Sequence, residues 1–117
     1  MDIQFPDDLD IIKLDAKYLQ GCVQKIRDRM NMGVWSDDVF LHTNITNMEN
    51  IVQLIINSSD MQQACTHIQT FKSYLSNLDQ AVRDGKYDSR SIVGDYTLDM
   101  RYFLEEIDKT IARSKPQ

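Results

Sequence analysis

Apolar residues recur at alternating steps of three and four along four separate stretches of this chain. The first series is Leu9, Ile12, Ala16, Leu19, Val23, Ile26 and Met30. The second is Leu41, Ile45, Met48, Val52 and Ile55, and the third is Met61, Ala64, Ile68, Phe71, Leu75, Leu78 and Val82. The fourth is Val93, Tyr96, Met100, Phe103, Ile107 and Ile111. Such spacing places each series on one stripe of an α-helix, and the stripe must be buried against other helices. No stretch alternates with period two. The single Asp84-Gly85 pair lies between helical patterns rather than between strand-like runs. The expected class is all-α.

Punctuation between the stripes sets the helix ends. Pro6 with Asp7 and Asp8 suits a helix start. Asn31 and Gly33 suit a left-handed stop, as does Gly85. Ser36, Asp37 or Asp38 can cap the second helix, and Ser59 with Gln62 fits a capping box for the third. The fourth begins near Asp88 or Ser89, although Gly94-Asp95 interrupts it and would delay the regular helix to Asp95. Gly21 lies inside the first pattern, where it invites a neighbouring backbone to approach. The chain has 15 Asp and only 3 Glu, and many of the Asp fall at these starts, as expected of a capping residue that is poor in helix interiors.

The tetrad Asn57-Ser58-Ser59-Asp60 decides between a rod and a bundle. Continuing the second series would place Ser59 and Gln62 in an apolar seam, whereas the third series starts one residue out of phase at Met61. A turn removes the conflict. The expected fold is an antiparallel up-down-up-down four-helix bundle, with helices at about 8–31, 38–56, 60–83 and 89–114, forming one domain over residues 1–117.

Charge and cysteine content narrow the partners. A net charge of −5 and a pI near 4.8 argue against nucleic acid and anionic membrane, and favour a basic partner if any. No apolar run approaches the roughly 20 residues of a membrane span. Cys22 and Cys65 form no CxxC pair and read as small core residues of a cytoplasmic protein. Asn44-Ile45-Thr46 and Asn57-Ser58-Ser59 match glycosylation acceptors, but nothing in the sequence routes the chain to a glycosylating compartment.

Catalytic signatures are weak. Neither His42 nor His67 follows a Glu by three residues, so the di-metal pattern of helical bundles is missing. Glu105, Glu106 and Asp108 cluster in the fourth helix, and Glu49 is the lone Glu of the second. Those residues keep a metal-dependent all-α nucleotide pyrophosphohydrolase as an alternative. No metal, cofactor or catalytic residue is assigned. Trp35 with Tyr102-x-x-x-Glu106 resembles the paired motif of the Trp-x-Gly family of small secreted helical hairpins. The family's glycine is Asp37 here and four helical segments do not make a hairpin, so no membership is read from it.

The most informative surface signal is a gap. All 13 Lys and Arg lie outside the stretch from Met30 to Phe71, where off-seam positions are mostly Thr, Asn, Gln and Ser. The second helix is broadly apolar as well, since Ile51, Leu54 and Ile56 widen its face. Low charge around an apolar arc marks the centre of many protein interfaces, and also marks a helix that is simply well buried. The expectation is a non-enzymatic protein-binding module of the immunity-protein, antitoxin, inhibitor or chaperone-like kind. Its contact residues would be Trp35, Phe40, Asn47, Asn50, Ile51, Leu54 and Ile56. The occupant would be a basic protein or, in a homodimeric structural protein, a second copy of the chain.

Overall fold

The computed structural model describes residues 7–114. The role expected of Pro6 lies outside them. The chain forms four helices: α1 (Asp8–Asn31), α2 (Val39–Ile56), α3 (Met61–Arg83) and α4 (Ile92–Ser114). Each helix packs on its neighbours in sequence, and α4 closes back onto α1. Of the two diagonals, α2–α4 makes no contact and α1–α3 only a slight one, so the cross-section is close to a square taken in chain order. Side-chain pairs fix the directions. Gln20 meets Gln53 while Arg27 meets Glu49, which runs α1 against α2. Lys72 meets Asp108 while Arg101 meets Asp79, which runs α3 against α4. Tyr18 stacks on Phe103 and Asp8 bridges to Arg113 at 3.2 Å, so α1 and α4 are also antiparallel. The bundle and its turn at residues 57–60 are as expected from the slip in seam phase. The chain is therefore no single hairpin.

One core fills the square, with Ile12, Leu19, Ile26, Leu41, Ile45, Met48, Ile55, Ile68, Phe71 and Met100 inaccessible to solvent. The first three stripes are buried nearly as the spacing requires. In α4 the buried face is rotated: it is built on Val93, Thr97, Met100, Leu104, Ile107 and Thr110, while Tyr96 and Phe103 lie on its flank, only partly buried. Two threonines thus hold core-facing positions that hydrophobicity alone assigns to aromatic rings. Thr110 satisfies its hydroxyl by donating to the Glu106 carbonyl at 3.2 Å.

The α2 cap is among those expected, whereas the α3 cap and the start of α4 differ. Asp38 and Asp60 stand just outside α2 and α3 as N-caps, accepting from the N–H of Leu41 at 3.0 Å and of Gln63 at 2.8 Å. Gln63, not Gln62, completes the box, and its Oε1 accepts from both the N–H and the hydroxyl of Ser59. In α4 the helix starts at Ile92, with Ser91 Oγ accepting from Gly94 N–H at 3.2 Å, and it runs straight through Gly94-Asp95. The reason is steric. A Cβ on Gly94 would lie 2.7 Å from the Asp88 carbonyl oxygen and closer still to Ser89, so only glycine lets the 88–91 turn fold down onto the helix. The close backbone approach expected at Gly21 is absent, and a Cβ there would meet nothing within 4 Å.

Candidate functional site

Trp35 and Phe40 come together at one end of the bundle. Trp35 has φ 59°, a left-handed conformation that costs a non-glycine residue roughly 1–2 kcal/mol. Its half-buried ring meets Tyr87 edge-on, with centroids 5.9 Å apart. Tyr87 is itself buried and donates its hydroxyl to Asp38 Oδ2 at 2.5 Å. The Lys86 ammonium lies 4.1 Å from the Phe40 ring centroid and 3.7 Å from the Asp38 carboxylate. Burial works against ionising Asp38, yet the Tyr87 hydroxyl, the Leu41 N–H and Lys86 together hold its carboxyl below the usual range. Burial first, and then the Asp38 carboxylate, push the Tyr87 hydroxyl upward. This corner ties the α1–α2 connection to the α3–α4 connection. Trp35 is its lid.

The rest of the expected contact set divides. Asn47, Asn50 and Leu54, at steps of three and four, share the outer side of α2, where Asn50 is exposed and Leu54 is 48% exposed. Ile51 is 9% exposed and belongs to the core. Ile56 points about 160° away from Leu54 around the helix and is partly buried against the core. Phe40 and Leu54 are separated along the axis by about 21 Å. Much of the breadth of α2 is burial within the monomer: seven buried residues in 18, against seven in 24 for α1. Buried Asn44 is satisfied by Phe40 O at 2.9 Å and Asn77 at 3.2 Å, which closes that acceptor motif to modification in the folded chain.

The acidic residues do not converge. Glu49 is clamped by Arg27 through Nη2 at 2.8 Å and Nε at 3.2 Å, and the same guanidinium reaches Thr46 and His42. Glu105, Glu106 and Asp108 sit on α4, the helix diagonal to Glu49. Among the described residues no three His, Cys, Asp or Glu side chains come together as a metal site would require. Burial, followed by the charge of Asp99, pushes the Cys22 thiol up to about 11, so it stays protonated at neutral pH and is a poor nucleophile. An open cleft of about 240 Å³ between α3 and α4 has Leu75 and Leu104 on its floor and is bridged by the Lys72–Asp108 and Arg101–Asp79 ion pairs.

A different surface stands out. Leu14 and Tyr18 on α1 are each 54% exposed; on α4, Leu98 is 63% and Tyr102 58% exposed. Phe103 lies between the tyrosines, stacked on Tyr18 at 5.1 Å with 5° between planes and meeting Tyr102 edge-on at 5.7 Å. The three rings form a row across the α1–α4 seam. Leu14 extends it one turn from Tyr18, and Leu98 one turn from Tyr102. Sequence reasoning missed this face, but a signal was present: two apolar pairs off the seam, each at i,i+4. Against family models, curated proteins and solved structures alike, the chain finds no match.

Proposed function

We propose that the protein is a non-enzymatic protein-binding module of the immunity-protein, antitoxin, inhibitor or chaperone-like kind, and that the α1–α4 face is its contact surface. The observation that carries this reading is the exposure of Leu14, Tyr18, Leu98 and Tyr102 on two helices already packed together. Apolar side chains scattered singly need no explanation; a contiguous row of rings flanked by leucines does. Tyrosine, with tryptophan and arginine, is also enriched among the side chains that anchor protein interfaces. The two free cysteines, one buried and one partly so, fit work in the reducing cytoplasm.

A photo-crosslinking residue at position 98, introduced in the native host, tests the surface. A partner captured from 98 and not from exposed Gln69 on α3 supports it. Capture from position 50 on α2 instead moves the surface to the helix that the sequence singled out. Silence at both positions retires the reading.

One observation favours a second reading. Leu54 and Val39 are exposed on α2, a helix with no Lys or Arg. A homodimer through α2 would sediment as a concentration-dependent dimer that Leu54→Asp dissolves without loss of helicity. A monomer at high micromolar concentration would sink it.

A further inference from the structure

The row of rings on α1–α4 carries carboxylates on both sides. Asp15 lies three residues before Tyr18, Asp99 three before Tyr102, and Glu106 three after Phe103. Asp15 and Glu106 come from opposite helices and are close enough to repel. Burial, and then that repulsion, raise the Asp15 carboxyl above its usual range. Among the described residues neither Asp15 nor Asp99 has a Lys or Arg within ion-pair distance. Glu106 holds only Lys109, at 3.2 Å, an exposed ammonium that also lies near Tyr102 and that an arriving cation would displace.

We propose that this seam seats arginine side chains from a basic segment of a partner protein. The inference rests on the α1–α4 face being the contact surface, and it adds what occupies that face. The faces of aromatic rings are electron-rich and attract cations. A guanidinium is planar and weakly hydrated, so it stacks on a ring while its N–H fork reaches a carboxylate beside it. An ammonium offers the charge without the stacking plane. An acidic partner would add to the repulsion already present between Asp15 and Glu106. A purely apolar partner would strip water from those carboxylates and return nothing. The net charge of −5 speeds the approach of a basic chain from a distance.

Titration with a nine-residue arginine peptide, a lysine peptide of equal length and a glutamate peptide tests the assignment, read by calorimetry and by amide shifts. The arginine peptide is expected to bind more tightly than the lysine one, with shifts centred on Tyr18, Tyr102 and Phe103. Tyr102→Ala is expected to weaken it about tenfold, and Tyr102→Phe to leave it nearly intact, because the ring and not the hydroxyl does the seating. Asp15→Asn keeps the side-chain shape and should weaken binding too, which guards against an Ala variant that fails to fold. Equal affinity for arginine and lysine with no effect of Tyr102→Ala would overturn the proposal, since it shows diffuse attraction to an acidic protein. Shifts confined to α2 or α3 would overturn it as well. If position 98 crosslinks a partner that has no basic segment, the arginine assignment fails while the contact surface stands; with no crosslink from 98, both fall.

Discussion

An added methyl group at Gly94 would run into the backbone of Asp88 and Ser89, whereas at Gly21 it would stand in solvent. Both glycines are helical, so both carry the entropic penalty of glycine in a helix. Their substitutions are expected to have opposite signs. Gly21→Ala should stabilise by about 0.5–1 kcal/mol through propensity alone. Gly94→Ala should destabilise by about 2 kcal/mol or more, because the clash is with main chain that cannot rotate away. Urea unfolding of the two variants beside the parent measures both, and a stabilised Gly94→Ala would mean the 88–91 turn is not held against α4. Trp35 is a related case at the same scale. Its left-handed backbone is tolerated because the ring gains a packed position on Tyr87 over the end of the core.

Helix starts show how one residue type can do two amounts of work. Asp7, Asp38 and Asp60 all cap through their carboxylates. Asp60→Ala removes a solvent-exposed cap and should cost about 1 kcal/mol. Asp38→Ala removes a cap, strands the buried Tyr87 hydroxyl and releases Lys86, so about 2–3 kcal/mol is expected. Because the folded carboxyl of Asp38 titrates below its unfolded value near 3.8, its contribution is present above that pH and is lost as pH falls through the folded value. Denaturant midpoints at pH 7 and pH 3 check this: the gap between parent and Asp38→Ala should narrow in acid. The four elements themselves were legible in sequence because their apolar stripes carry one face each and their phases disagree at residues 57–60. The α4 face was misplaced by a fraction of a turn, since Thr97 and Thr110 pack inward by virtue of size and position rather than hydropathy. The aromatic face was not legible for a different reason. Whether Tyr18 and Phe103 are core or surface depends on which helix lies beside them, and the spacing within either helix is silent on that.

In the whole molecule, short connections join the three sequential helix pairs, and the closing pair, α1 with α4, is made by the two most distant parts of the chain. That closure brings Asp8 within 3.2 Å of Arg113, while the turn at 57–60 reverses the chain with Ser58 buried and Asp60 capping α3. α2 and α4 each meet two others, α1 and α3 also touch across the diagonal, and sequence order breaks the square at one edge only. A chain cut between Ser58 and Ser59, with residues 114 and 7 joined by a short glycine-serine linker, would read α3-α4-α1-α2 and keep every pairing. Such a circular permutant is expected to unfold in one cooperative transition with unchanged helical dichroism. A loss of cooperativity would mark the 57–60 turn as a director of assembly. The bundle is a closed ring of helices with no obligatory first member, and its beginning can be moved.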